Sequence, residues 1–106
     1  MAGARKKRSR ADSDALADLA ARANLGPKSA VMLFDSGVTS YAKLEKLGSV
    51  AAFVKVRSSG SPASLNLLWA LEGALTGTHW RIVARDRRES LLFALDDLER
   101  APRRHR

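Results

Sequence analysis

Apolar residues recur at helical spacing along most of the chain. The first stripe has the i, i+3, i+4, i+7 spacing of one helix face and consists of Leu16, Leu19, Ala20 and Ala23. It stops at Asn24-Leu25-Gly26-Pro27. Proline is unsuited to a helix interior but suits the first helical turn, where its missing N–H has no partner to lose. The sequence therefore predicts one helix over residues 11–23 and a second from Pro27 to Ser36.

The middle of the chain predicts three further helices. A third is expected to end at Gly48, and a fourth is expected from Ser49 to the loop Ser58-Ser-Gly-Ser-Pro62. Residues 64–76 are the most apolar stretch and carry Glu72 as their one charge. A helix that is apolar nearly all round is buried, so this fifth helix is expected at the centre of the fold.

The last third of the chain predicts a loop followed by a helix. Gly77 ends the central helix, and the stretch to Arg85 is expected to be a loop anchored by Trp80 and Ile82. Asp86-x-x-Glu89 resembles a capping box and is expected to open a final helix, whose inward residues are Leu91, Leu92, Leu95 and Leu98. Nowhere do four residues alternate as in a half-buried strand. The pattern predicts an all-α fold, a compact bundle of about six short helices.

The net charge of +8 is concentrated at the two ends of the chain. Residues 11–100 contain eleven Lys/Arg and eleven Asp/Glu, so the predicted helical domain is neutral. Residues 1–10 are predicted to be a basic disordered tail and residues 101–106 a second basic tail. Clustered cations attract phosphate at low salt. The tails therefore supply a first set of candidate nucleic-acid-binding residues, which are Arg5, Lys6, Lys7, Arg8, Arg10, Arg103, Arg104 and Arg106.

Composition argues against several other classes of protein. The chain has no cysteine and two histidines, His79 and His105, so no disulfide framework forms and no metal site is expected. No apolar run approaches the ~18 residues of a membrane span, and none follows the basic start as in a secretory signal. No nucleophile and base are spaced as a catalytic pair. We expect a cytoplasmic protein that is not an enzyme, with no cofactor and no small-molecule substrate.

The connection between the first two helices is the candidate binding motif. Asn24-Leu-Gly-Pro-Lys-Ser-Ala30 resembles the helix–hairpin–helix signature, in which Gly-apolar-Gly-Pro-Lys-x-Ala joins two helices. Unpartnered N–H groups at a helix start favour a phosphate, and such contacts do not read base sequence. Asn24 replaces the first glycine, but asparagine tolerates the left-handed backbone that the turn needs. The candidate residues of this hairpin are Asn24, Leu25, Gly26, Pro27, Lys28 and Ser29.

Longer stretches resemble the C-terminal domain of the TfoX/Sxy family of competence regulators. They are Asn24-Leu-Gly-Pro-Lys-Ser29, Gly37-Val-Thr-Ser-Tyr-Ala-Lys-Leu44, Leu47-Gly-Ser-Val-Ala-Ala-Phe53 and Ser64-Leu-Asn-Leu-Leu-Trp-Ala-Leu-Glu-Gly-Ala-Leu75, followed by Trp80. The last of these segments is the specific one. The resemblance implies an all-helical fold related to helix–hairpin–helix domains. It also implies a role near transcription, since full-length relatives of this bacterial family promote expression of DNA-uptake genes. The family's N-terminal α/β domain is absent here, so a stand-alone domain is expected.

Two functions follow from these observations, and both stay open at this point. In the first, the protein binds DNA weakly and in a salt-sensitive, sequence-tolerant way, with the tails supplying affinity and the hairpin supplying geometry. In the second, the neutral domain is a protein–protein interaction module, the hairpin is a structural connector, and the tails are incidental.

Overall fold

The chain folds into helices alone over residues 9–100, the part that the computed structural model describes. The seven helices of this part are α1 (Arg10–Ala20), α2 (Pro27–Asp35), α3 (Tyr41–Leu47), α4 (Ser49–Ser58), α5 (Leu65–Thr76), α6 (Trp80–Asp86) and α7 (Arg88–Arg100). The all-α class predicted from the sequence is confirmed. None of these helices has the length and apolar character that crossing a membrane requires.

Helix α1 begins within residues 1–10, the segment that was predicted to be a disordered tail because of its positive charge. Ser9 is its N-cap: the Ser9 hydroxyl accepts from the Asp12 N–H (3.1 Å), and the Asp12 carboxylate accepts from the Ser9 N–H (3.4 Å). This reciprocal capping box satisfies two N–H groups at the helix start. Arg10, the first residue of α1, therefore belongs to the folded domain, one residue before the predicted boundary at residue 11.

Helix α5 lies at the centre of the hydrophobic core, as its apolar sequence predicted. Leu67, Leu68, Trp69, Ala70 and Leu71 are buried in succession, so α5 is surrounded on most sides, and it packs between α4 and α6. The polar exception is Glu72, which accepts from the Ser49 hydroxyl (2.7 Å) and pairs with Arg87 (3.2 Å). The Glu72 side chain is only 13% exposed, and a carboxylate so far removed from water needs such partners; here they fix α5 against the start of α4 and the α6–α7 junction.

The segment predicted as a loop after Gly77 forms helix α6, so the number of helices in the described part is seven and not six. Val83 is buried and faces the core, whereas Ile82, which the sequence analysis took as an anchor, is 42% exposed. Trp80, Val83 and Ala84 contact the core at i, i+3 and i+4, the spacing of a helix face. The loop prediction was therefore wrong, because a short helical stripe was present.

The predicted capping box at Asp86 is also absent. Asp86 is the last residue of α6, and its carboxylate accepts from the Arg85 guanidinium at 2.8 Å instead of capping α7. Helix α7 begins at Arg88 with Glu89 in its first turn. Of the leucines predicted to face inward, Leu91 and Leu95 are buried, Leu92 is partly buried, and Leu98 is 43% exposed.

Candidate nucleic-acid interface

The turn between α1 and α2 has the geometry that its sequence predicts. Asn24 has a φ of +70°, which makes it the one non-glycine residue of the described part in the left-handed region. Asparagine thus takes the place that glycine has in the resembling signature. Leu25, one of the candidate residues, is 7% exposed; its side chain belongs to the core and holds the turn against it.

The side chain of Asn24 is hydrogen-bonded within the protein, to partners that cannot be read from the sequence. Its amide nitrogen donates to the Thr78 carbonyl oxygen (2.8 Å), and its amide oxygen accepts from the Trp80 N–H (3.1 Å). Both ends of the amide therefore tie the α1–α2 turn to the α5–α6 connection. We call Asn24, Gly73, Thr78 and Trp80 the inner side of the turn.

Gly73 makes this close approach possible. A Cβ atom on Gly73 would overlap the Thr78 carbonyl oxygen and would lie 2.6 Å from the Asn24 amide nitrogen. Because α5 passes directly beneath the Asn24 side chain, only a residue without a side chain fits at this point. The contact between Gly73, the Asn24 amide and the Thr78 carbonyl is therefore closely packed and leaves no room for a ligand at that point.

The opposite face of the turn is open, and we call Gly26, Pro27, Lys28 and Ser29 its outer side. Gly26 is the N-cap of α2 but provides no side-chain cap, and no atom lies within 4 Å of the position of a Cβ on it. The first bond of the helix runs from the Ala30 N–H to the Gly26 carbonyl oxygen (2.9 Å). The N–H groups of Lys28 and Ser29 precede that bond, so the helix itself gives them no acceptor.

The outer side borders a groove of about 480 Å³ between α2 and α5. The α2–α5 groove is lined by Asn24, Lys28, Ser29, Met32, Pro62, Ala63, Ser64, Asn66, Leu67, Ala70 and Trp80. Ser64 is the N-cap of α5 and, like Gly26, makes no side-chain cap. Two uncapped helix starts therefore open onto one groove, and Lys28 is the charged residue among its lining. Both features favour an anion there.

Aromatic and cationic side chains lie together at the start of α6, where Trp80 lines the α2–α5 groove. The rings of His79 and Trp80 are stacked, with centroids 5.9 Å apart and 25° between their planes. The Arg81 guanidinium lies 5.2 Å from the centroid of the Trp80 ring. We call these three residues the aromatic cluster; sequence analysis treated Trp80 only as a loop anchor.

Most arginines near α6 and α7 are already engaged within the protein. The Arg85 guanidinium hydrogen-bonds Asp86, which lowers the pKa of that carboxyl and raises the pKa of Arg85. Arg87 pairs with Glu72 at 3.2 Å, and the Arg88 guanidinium lies 5.8 Å from the Trp69 ring. Lys28, in contrast, is exposed and makes no ion pair with residues 9–100. It is the available cation of the hairpin.

The basic tails named by the sequence lie almost wholly outside the described residues. Arg10 is the exception, an exposed residue at the start of α1. The other tail candidates, Arg5, Lys6, Lys7, Arg8, Arg103, Arg104 and Arg106, fall in residues 1–8 and 101–106. Their binding role stays a prediction. Within residues 9–100, no three His, Asp or Glu side chains are grouped as a metal site.

Helix α7 presents an apolar surface with an acidic border. Phe93 is 73% exposed, the largest exposure among the large hydrophobic residues of the described part. It lines a shallow hollow with Glu89, Ser90, Leu92 and Asp96, which we call the α7 surface. An exposed aromatic residue beside other apolar groups is typical of a protein contact, so this surface is the candidate for the protein interaction considered from the sequence.

These features define a class of protein: a small all-helical domain whose first helical hairpin presents an uncapped helix start beside a groove. The model of the TfoX C-terminal domain family matches residues 13–95. The chain belongs to the TfoX C-terminal domain family, which confirms the resemblance seen in the sequence. It is 32% identical over 77 residues to the DNA transformation protein TfoX of Haemophilus influenzae, and the match covers 73% of this chain and 36% of that relative. No solved structure matches the chain.

Proposed function

We propose that this domain is a non-enzymatic module of competence-related regulation that binds nucleic acid through backbone phosphates, with little dependence on base sequence. The observation that carries the proposal is the outer side of the turn, where the start of α2 is uncapped and accessible. The relative from Haemophilus influenzae is named a DNA transformation protein, which supports a connection with DNA. In this role the domain acts in the bacterial cytoplasm, near the transcription of DNA-uptake genes.

The chemistry of the proposed contact is that of a helix start. The N–H groups of Lys28 and Ser29 point along the axis of α2, where the helix dipole adds a partial positive charge. Hydrogen bonds to a charged group contribute about 1.5–3 kcal/mol each, more than bonds between neutral groups. The Lys28 ammonium adds a charge that salt screens. Such contacts position a nucleic acid and leave its bases unread.

Ligand binding explains the presence of a glycine at position 26 better than the packing of the fold does. Its φ of −134° and ψ of −175° are extended values that any residue before a proline adopts. Space around it is open, so a side chain there would clash with no part of the protein. A glycine that packing does not require, next to unpartnered N–H groups, fits a site where a phosphate approaches the backbone closely.

A salt titration of double-stranded DNA binding tests this proposal. Gly26→Val should fold normally, because valine suits extended backbone, and should weaken binding roughly tenfold by blocking the helix start. Lys28→Ala should weaken binding modestly and reduce the slope of log K against log salt by up to ~0.9. Deleting residues 1–8 should reduce that slope further, while keeping Ser9 in place as the cap of α1.

Lys46→Ala is the matched control, since Lys46 is an exposed lysine of α3 that lies outside the groove. It should change neither the affinity nor the slope by as much as Lys28→Ala does. Thermal melts of every variant separate loss of binding from loss of folding. If a folded Gly26→Val protein binds DNA with the affinity of the parent, the hairpin is a connector and the proposal fails at this site.

A second candidate function rests on the α7 surface. Phe93 is 73% exposed beside Leu92, with Glu89 and Asp96 at the border, an arrangement suited to a protein partner. In this alternative, Phe93→Ser leaves folding and DNA binding unchanged but abolishes regulatory output in a strain that reports expression of DNA-uptake genes. Unchanged output in that strain would argue against it.

A further inference from the structure

The aromatic cluster at the start of α6 has a surface that the proposed phosphate contact does not use. His79 and Arg81 are exposed, and Trp80 is partly buried. Trp80 lines the α2–α5 groove on one side and, on the other, a second hollow of about 570 Å³ formed with Ala23, Asn24, Gly77, Thr78 and His79. The described residues that line these two hollows include no carboxylate.

Two hydrogen bonds from backbone N–H groups to side chains order the start of α6 and the His79 ring. The Trp80 N–H donates to the Asn24 amide oxygen (3.1 Å), which fixes the start of α6. The Arg81 N–H donates to Nδ1 of His79 (3.1 Å), so the imidazole caps the helix and stacks on the indole at the same time. A group that is already ordered loses little entropy when a ligand binds.

We infer that the aromatic cluster is a stacking site for an unpaired base, so that this domain prefers single-stranded nucleic acid to a duplex. The inference rests on the proposed function and adds the class of ligand. Aromatic rings and a guanidinium stack on the face of any base, whereas in a duplex those faces are covered by the neighbouring base pairs. Because His79 is exposed, a planar base can extend the His79–Trp80 stack.

The position of the cluster allows base and phosphate to be contacted together. Trp80 and Lys28 line the same groove, so a strand whose phosphate lies at the start of α2 brings its neighbouring base toward α6. Stacking is tolerant of base identity. This agrees with the proposed phosphate contacts, since neither kind of contact reads the edges of the bases. The groove and the cluster thus describe one site with two kinds of contact.

Fluorescence anisotropy on the full chain tests the inference with three labelled probes: an oligothymidylate, an oligouridylate and a blunt DNA duplex, each about 12 nucleotides long. We expect the single strands to bind about fivefold more tightly than the duplex, which corresponds to about 1 kcal/mol, the lower end of base–aromatic stacking. The two single strands distinguish DNA from RNA. Tryptophan fluorescence should be quenched by single strands, and Trp69, 3% exposed, contributes little to such quenching.

His79→Asn is the decisive variant, because asparagine caps helices well but offers no ring. It should keep the melt and the duplex affinity of the parent and lose the preference for single strands. Arg81→Lys keeps the charge and removes the planar guanidinium, so it should lower the single-strand affinity less than His79→Asn and leave the salt slope unchanged.

Each outcome separates this inference from the proposed function. If single strands and duplex bind equally and tryptophan fluorescence is not quenched, the stacking site is wrong while phosphate binding stands. If the single-strand preference persists in folded His79→Asn, it arises elsewhere and the inference is again overturned. If no probe binds, both fail. Should His79→Asn not fold, the fluorescence of the parent protein decides, since a base stacked on the cluster quenches Trp80.

Discussion

Each side of the α1–α2 turn contains a glycine, but the fold demands different things of the two glycines. On the inner side, Gly73 lies where a Cβ would overlap the Thr78 carbonyl oxygen, so packing requires a glycine. On the outer side, Gly26 has open space and ordinary extended backbone, so packing does not require one. One hairpin can therefore be a structural junction on one face and an accessible candidate phosphate site on the other.

Because of this difference, the two roles that the sequence left open for the hairpin, structural connector and binding site, are compatible. The hairpin is a connector on its inner side, where the Asn24 amide bonds Thr78 and Trp80 across more than fifty residues of chain. That role does not compete with ligand binding, because it uses neither the N–H groups of Lys28 and Ser29 nor the Lys28 ammonium. Stability and binding are therefore expected to respond to different substitutions in the same turn.

Asn24→Ala should have the largest effect on stability. It removes two partly buried hydrogen bonds, about 1 kcal/mol each, and places in the left-handed region an alanine, which tolerates that backbone less well than asparagine, at a further cost of about 1 kcal/mol. We expect the free energy of unfolding to fall by about 3 kcal/mol in a denaturant titration. Asn24→Gly is the control, since glycine restores the backbone freedom without the bonds and should lose about 1 kcal/mol less. Equal losses in both variants would contradict the backbone part of this account.

Gly73→Ala should have the next largest effect. Overpacking costs about 1–3 kcal/mol, and the gain of up to about 1 kcal/mol from replacing a glycine within a helix offsets part of it. The expected net loss of about 1–2 kcal/mol would lower the melting temperature by roughly 5–15 °C in a domain of this size. If Gly73→Ala melts at or above the parent, the α5–α6 connection moves away easily and the inner side is less tightly packed than its distances indicate.

Those parts of the fold that depend on neighbouring residues could be predicted from the sequence. Helical spacing placed α1 to α5 and α7, and the tolerance of asparagine for left-handed backbone predicted the geometry of Asn24, because these depend on neighbouring residues. Helix α6 was missed although Trp80, Val83 and Ala84 have helical spacing. It spans only seven residues, and its N-cap is His79, not one of the usual Ser, Thr, Asp or Asn.

The arrangement of the candidate site could be predicted only in part, because most of it depends on contacts between distant segments. The open face of Gly26 and Lys28 follows from the motif, whereas the partners of the Asn24 amide do not. Neither the packing of Gly73 nor the stacking of His79 on Trp80 beside the groove can be derived from spacing along the chain. The outward position of Ile82 is a further example, since its hydrophobicity alone suggested burial.

Substitutions at Gly26 should have the smallest effects on stability, and the direction of the change in Gly26→Ser makes that variant informative. A serine at this N-cap can accept from the N–H of Ser29, and it also reduces the freedom of the unfolded chain, so we expect a gain of about 0.5–1 kcal/mol. The same hydroxyl occupies the helix start and should weaken DNA binding severalfold. Gly26→Ala, which adds a Cβ without an acceptor, should change stability by less than about 0.5 kcal/mol.

Because unfolding cannot explain weaker binding in a more stable protein, paired melts and DNA titrations decide the role of the outer side. A Gly26→Ser protein that is stabilised and still binds DNA like the parent would show that these N–H groups hold no phosphate.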